Sequence, residues 1–284
     1  MTKADKYMYD MIREIMDNGY EDVNPRPKYA DGTPAHTISV NHTCRSYNLA
    51  NGEFPICSLR PIAWKTGIKE IFTIYQKPTN VISEMKEMGV GWWDEWDIGD
   101  GTIGQRYGAT VSRYDLINNL IADIKKDPYG RRKIVSLWQE ADLRETAGLA
   151  PCAFLTIWNV RNNGMGKEYL DMALIQRSGD MLTASGPGGI NEVQYAALLM
   201  MIARHTGYLP GKFTHFVANE QIYDRHTEAA VEMMNRYENH YYEEAHPILY
   251  LNSNKTNFYD LTIEDFTMEN YEPIKPQLKL ELGI

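Results

Sequence analysis

Leu149-Ala150-Pro151-Cys152, the apolar runs 153–160 and 170–175, and then Gln176-Arg177-Ser178-Gly179-Asp180 are the stretch that decides the fold of this chain. The two runs read as neighbouring strands. A thiol stands at the threshold of the first and a compact polar cluster at the end of the second. A thiol attacks only as its thiolate, which needs positive charge or a good donor nearby. Arg177 and Ser178 together suit both tasks: a guanidinium fork holds a phosphate, and its charge favours ionised sulfur. The competing reading of Cys152 is a buried core cysteine, the common fate of free thiols.

Outward from this stretch, apolar spacing predicts helices over 7–16, ending near Gly19, and over 62–75, 80–88 and 116–124. Asp31-Gly32-Thr33-Pro34 and Asp127-Pro128-Tyr129-Gly130 read as turns. Residues 37–40 alternate as a half-buried strand does, and 133–138 reads as another. The run 191–205 is apolar nearly all round, which predicts a central, buried helix. Strands and helices mix without regular βαβ alternation, so the expected class is α+β with a mixed sheet packed against helices. No Gly/Ser/Pro tract divides residues 1–284, and one large domain is expected.

The chain has 284 residues, 43% of them hydrophobic, and a formal net charge of −9. That balance argues against nucleic acid as the main partner. No apolar run reaches the length of a membrane span, and the start lacks the apolar core of a signal peptide. Cys44, Cys57 and Cys152 are odd in number and lack metal-ligand spacing, so neither a disulfide framework nor a zinc site is expected. The expected location is the cytoplasm.

Several other residues carry chemistry of their own. Arg131 and Arg132 follow a turn at the mouth of a strand, where they either converge on one anion or form a solvated turn. Arg177 lies between an apolar strand and a Gly-rich loop, where a bulky cation needs a partner. Glu70 stands among Ile68, Ile71, Phe72 and Ile74. Such neighbours raise a carboxyl pKa toward neutrality, unless the residue is a plain helix-surface glutamate. Trp92, Trp93 and Trp96 are either core or a wall for a flat conjugated ligand. Ser185-Gly186-Pro187-Gly188-Gly189 lacks the P-loop lysine and reads as a loop of close backbone approach that displays Asn191 at a helix start. Asn191 either caps that helix or pairs with a pyrimidine edge.

Taken in order, these residues resemble the thymidylate synthase family over nearly the whole chain. The resemblance is carried by Asp31-Gly32-Thr33-Pro34-Ala35-His36-Thr37, Trp64-Lys65-Thr66 with Glu70-Ile71, and Trp93-Asp94-Glu95-Trp96. It continues through Gly101-Thr102-Ile103-Gly104 with Tyr107-Gly108, Arg131-Arg132, Leu149-Ala150-Pro151-Cys152 and Gln176-Arg177-Ser178-Gly179-Asp180. Asn191 with Tyr195 and Tyr223 with His226 complete it. The resemblance implies that Cys152 adds to C6 of deoxyuridylate, so that C5 takes a one-carbon unit from 5,10-methylenetetrahydrofolate, which also supplies hydride. It implies proton management by Glu70, help from Tyr107 in removing the C5 proton, and nucleotide contacts from Gln176, Arg177, Ser178, Asn191, Gln221 and Tyr223. Arg131 and Arg132 would come from the partner subunit of a sheet-to-sheet homodimer with shared active sites. Trp93, Trp96 and Asp180 would line the folate site, and no metal is expected.

The chain departs from the family pattern at Gln221, where a histidine is usual, at Asn219, where aspartate is frequent, and in a longer loop between Asp180 and Asn191. Two other functions compete on sequence. One is a pyrimidine nucleotide 5-hydroxymethylase acting on CMP, dCMP or dUMP, with Lys133 and Gln221 accepting a ribose 2′-hydroxyl. The other is a silent member that only binds nucleotide or regulates a partner. Asn191 favours a uracil base, and Trp93 favours water exclusion and hence hydride transfer.

Overall fold

The computed structural model describes residues 1–284. In chain order the elements are α1 (Lys3–Asn18), β1 (Tyr20–Glu21), β2 (Thr37–Asn48), α2 (Trp64–Ile71), α3 (Ile82–Glu87), α4 (Gly108–Arg113), α5 (Leu116–Lys126), β3 (Lys133–Ser136) and α6 (Glu140–Glu145). Then come β4 (Ala153–Asn162), β5 (Glu168–Gln176), β6 (Gly179–Asp180), α7 (Ile190–Thr206), β7 (Leu209–Tyr223), α8 (Thr227–His240), β8 (Ile248–Leu251) and β9 (Phe266–Glu269).

One mixed sheet organises the molecule, in the order β1-β2-β7-β5-β4-β3 with β6 beside β7. β5 and β6 run parallel to β7, and every other pair is antiparallel. The α+β expectation is met. Along β5 the inward residues Leu170, Met172, Leu174 and Gln176 are buried, while Asp171, Ala173 and Ile175 between them are only half-buried. That alternation is the pleat showing through, with one face turned to the core.

The helices cover the buried face, with α7 at their centre packed against α2 and β7. Eleven of its side chains are buried, from Glu192 to Ala203. It starts at Gly189 and stops at Gly207, whose left-handed φ of 84° suits glycine. α1 opens on a capping box in which Thr2 and Asp5 satisfy each other's backbone N–H groups. The Asp5 carboxylate also accepts from the backbone and hydroxyl of Ser58, tying that helix start to the core.

The opposite face of the sheet is covered by no element of this chain. In register across it lie Ile134, Ile157, Ala173 and Thr214, and beside them Leu155, Ile175 and Phe216. Ile134 is 54% exposed. No helix is long and apolar enough to cross a membrane.

The structure adjusts four predicted elements, the first of them the strand expected over 37–40, which runs on to Asn48. The helix expected over 62–75 begins at Trp64, and beyond Ile71 its backbone widens into a buried π-turn, Phe72–Gln76. There Gln76 Nε2 donates to the carbonyls of Phe258 and Leu261, so the amide finds its acceptors outside the helix. The shorter helix starts at Ile82, and the strand expected to reach Trp138 ends at Ser136. Lys133 is buried, and its ammonium donates to the Gly130 carbonyl, so it offers nothing to a ribose hydroxyl in this chain's cleft.

Candidate active site

β4 and β5 are antiparallel and pair Ala153 with Gln176, so the residue before β4 lies beside the residue after β5. The Arg177 backbone N–H donates to the Cys152 carbonyl at 2.9 Å. The Arg177 guanidinium reaches the carbonyls of Pro151 (3.0 Å) and Ala150 (2.7 Å) and lies 3.5 Å from Cys152 Sγ. The partner that this cation needed is therefore the loop that ends in Cys152. Both residues open onto a cavity of about 770 Å³.

Arg177 favours the ionised sulfur of Cys152, as expected, but does not prevail. Burial pushes its thiol above the ordinary range, with Arg177 and then Arg26 pulling against that shift. Desolvation of the anion outweighs two nearby cations. Tyr107 closes in from the other side, its hydroxyl 3.4 Å from the Cys152 backbone nitrogen and its ring against Trp93 at 5.2 Å.

Glu70, the last but one residue of α2, is buried rather than on a helix surface. Its carboxylate accepts from Trp92 Nε1 (2.8 Å), Trp93 Nε1 (2.5 Å) and the Gln194 amide. Burial raises its pKa despite these three donors, as the sequence predicted. The tryptophans thus do two things at once. Their N–H groups orient the carboxylate, and the rings of Trp93 and Trp96, 5.5 Å apart, wall the cavity.

From Glu70 a directional chain of hydrogen bonds runs into the core. Gln194 donates to Glu70 and accepts from Asn191 Nδ2 at 3.0 Å. Asn191 Oδ1 accepts from Ser185 Oγ (2.8 Å), which accepts from Gln176 Nε2 (2.7 Å). Gln176 also donates to the Ser178 carbonyl, which can only accept, and its own oxygen meets His215 Nε2 at 3.0 Å. With an obligate acceptor at each end, the Asn191 amide is held one way round. Asn191 is not the cap of α7. Gly189 takes that position, which leaves Asn191 in the first turn.

Asp180, Ser178, Gln221 and Tyr223 line the same cavity. Burial raises the Asp180 carboxyl, and His226, with Nδ1 3.8 Å away, opposes the shift. The longer loop after Asp180 is a π-turn over Met181–Ser185, capped by the Asp180 carboxylate on the Thr183 N–H. Asn219 donates to Ser39 and Asn41 on β2 and does not line the cavity. Arg131 and Arg132 are exposed just before the edge strand β3 and do not line this chain's cavity. No group of three or more His, Cys, Asp or Glu side chains is arranged to hold a metal ion.

Two more contributors line the cavity, Arg26, which sequence reasoning missed, and the apolar end of the chain, which the sequence shows as Leu278, Leu280, Leu282 and Ile284 and as a departure from the family's usual closing segment. Arg26 lines the cavity and bears on both Cys152 and Tyr223. Its signal was the Pro25-Arg26-Pro27 frame, in which flanking prolines stiffen a lone cation. The end of the chain is the other. Ile284 pairs with Lys28 through two backbone hydrogen bonds (2.7 and 2.9 Å), bringing Leu282 and Ile284 to the cavity rim.

Comparison with known proteins is consistent along the chain. A family model described as thymidylate synthase matches residues 6–284. The thymidylate synthase of Lactococcus lactis subsp. cremoris (strain SK11) is 49% identical over 286 residues, covering 100% of both chains. That of Streptococcus suis is 45% identical, again over 100% of both. The solved structure of thermostable thymidylate synthase A from Bacillus subtilis superposes with a TM-score of 0.87 at 33% identity, covering 99% of each chain.

Proposed function

Because this chain belongs to the thymidylate synthase family, we infer that the cavity onto which Cys152 opens is the seat of that family's reductive methylation of deoxyuridylate to thymidylate. The family uses 5,10-methylenetetrahydrofolate as cosubstrate, which supplies both the one-carbon unit and the hydride. The cavity fits such a pair: it has about 770 Å³ and is lined both by Trp92, Trp93 and Trp96, an apolar wall, and by Arg177 and Ser178, suited to an anion. The convergence of Cys152, Arg177, Glu70 and Asn191 on that cavity is the observation that carries the reading.

In this reading Arg177, Ser178 and Arg26 hold the phosphate, and the Gln221 and Tyr223 side chains take the sugar. Asn191 presents its oxygen to N3–H of uracil and its amide hydrogen to O4, the order its locked amide favours. Once the bound nucleotide is in place, Cys152 gives up its thiol proton to solvent, its thiolate, stabilised by Arg177, adds to C6, and the electron pair of the C5–C6 double bond moves toward O4. Glu70, whose carboxyl pKa burial raises, exchanges a proton with O4. Tyr107 sits where the C5 proton must leave. Trp93 and Trp96 keep water from C5 while hydride arrives, and Asp180 faces the pterin.

The reading extends to assembly. Residues 1–284 act as one catalytic unit, and the uncovered sheet face packs on the same face of a second copy. The half-buried apolar rows supply the contact. Arg131 and Arg132, beside the edge of that face, then enter the partner's cavity. Cytoplasmic location is supported by three cysteines that all remain free thiols.

The test is incubation with deoxyuridylate and methylenetetrahydrofolate, following near-ultraviolet absorbance and product mass. Dihydrofolate with a 5-methyl product is expected. Tetrahydrofolate with a 5-hydroxymethyl product would favour water capture instead. Cys152→Ser should abolish turnover yet still bind nucleotide, and near-native turnover in that variant would remove the covalent step.

A further inference from the structure

Tyr107 has a backbone that an L-residue rarely adopts, φ 47° and ψ −108°. Such conformations persist only where the surroundings over-determine them. The residue before it supplies the restraint. Arg106 is 3% exposed and its guanidinium meets no carboxylate. Nη1 donates to the carbonyls of Gln105 (2.9 Å) and Asp142 (2.6 Å), and Nη2 to those of Thr146 (2.8 Å) and Leu143 (3.4 Å). Its Nε has no partner. The Asp142 carboxylate is engaged elsewhere, by Thr110, Arg113 and Tyr114.

A buried cation without a counter-ion is costly, and burial lowers the pKa of this guanidinium. Arg106 is better explained by the geometry it imposes than by an ion pair. Three of its four acceptors belong to residues 142–146, the segment that runs directly into Leu149-Ala150-Pro151-Cys152. The same junction is closed by the Gln105 N–H donating to Thr146 Oγ1 at 2.8 Å. It is tightened by Gly104, where a Cβ would stand 2.5 Å from the Ala147 carbonyl oxygen. One guanidinium therefore pins the turn that carries Tyr107 to the segment that delivers the nucleophile.

We propose that Arg106 is a positioning residue for Tyr107. By binding the carbonyls of residues 142–146 it holds the disfavoured Tyr107 backbone in place, which sets the phenol beside Cys152 where the C5 proton of the nucleotide leaves. The proposal rests on the role given to Tyr107 above. It acts through geometry: after burial, the groups that most perturb the Tyr107 hydroxyl are Cys152, Tyr195 and Glu70.

The experiment is a double-variant cycle with Arg106→Met and Tyr107→Phe, using deoxyuridylate with hydrogen or deuterium at C5. Arg106→Met is expected to lower kcat by about 10- to 100-fold with nucleotide KM changed less than about threefold, and to raise the C5 deuterium isotope effect. Arg106→Lys, which keeps three donors, should recover part of the rate. The double variant should be no slower than the slower single one, since both remove one function. Multiplying losses, an unchanged isotope effect, or full rate in a folded Arg106→Met protein would overturn the proposal while leaving Tyr107 its role. Full rate in Tyr107→Phe would remove that role and the proposal with it. If Arg106→Met does not fold, Thr146→Val loosens the same junction from the other side. It should give a smaller loss of kcat with the same rise in isotope effect, and a loss without that rise would count against the proposal.

Discussion

Glu70 is a carboxylate in a medium that resists its charge. Three N–H donors favour the ionised form, yet burial prevails and its pKa is raised. Linkage fixes the sign of the consequence. Between the unfolded and the folded pKa the native state binds the extra proton, so stability falls as pH rises through that window. Glu70→Gln carries no charge and escapes this loss. Its unfolding temperature should therefore exceed that of the parent at pH 8 and approach it at about pH 4, where the parent carboxyl is protonated in both states. Turnover should fall by about 10²- to 10⁴-fold, the usual worth of a general acid–base group. Calorimetry at the two pH values checks the first claim, and a parent more stable at pH 8 would refute it. The residues legible in sequence were those whose neighbours along the chain already gave their surroundings: Glu70 among isoleucines, Cys152 after proline, Arg177 at a strand end. Gln194 and Arg106 were not legible, because the partners that give them their place, Glu70 and residues 142–146, lie far away in sequence, and the proline frame of Arg26 marks a stiff cation without saying what it faces.

Elements were legible where hydrophobicity followed the backbone period. α1, α5, α7, β4 and β5 all stand where apolar spacing put them, within a few residues at their ends. β7, the longest strand, was missed for a physical reason. Its inward positions include His215 and Glu220, which with Arg45 and Glu192 form a buried ion cluster. Burial alone would raise the Glu192 carboxyl, but Arg45 and His215 hold it down to about 2. Polar residues that satisfy one another inside erase the alternation a strand normally shows. The loop before α7 was read as one of close backbone approach, and the structure gives the reading a measurable consequence. At Gly188, with φ 67°, a Cβ would stand 2.3 Å from the Cys57 nitrogen and 2.7 Å from the Ala4 side chain. Gly188→Ala must therefore displace either the 56–57 backbone or the start of α7. A loss of roughly 2–4 kcal/mol is expected in denaturant unfolding. Because Ser185 and Asn191 flank the displaced loop, nucleotide KM should rise in the protein that remains folded. A variant with parental stability would show that the approach is looser than described.

For the whole molecule the decisive surface is the uncovered face of the sheet. Isolated exposed apolar residues need no explanation, but two adjacent rows in register across β3, β4, β5 and β7 form a continuous patch. In the proposed dimer a second copy would cover such a patch by two-fold symmetry, each row meeting its own counterpart. Arg131 and Arg132 give the arrangement a chemical consequence, since they stand at the edge of this face and away from their own cavity. If each serves the neighbouring cavity, every site needs residues from two chains. Arg132→Ala and Cys152→Ala should then each be inactive alone. In a mixed dimer one cavity receives Cys152 from the first variant and Arg132 from the second, and so contains every native group. The other cavity lacks both. Equal mixing makes half of the dimers mixed, with one working site in two, so about a quarter of parental activity should return. Subunit exchange, followed with differently tagged chains, supplies the control. No return of activity with exchange demonstrated would place the arginines outside the neighbouring site. A single-chain mass in sedimentation at working concentration would remove the dimer itself.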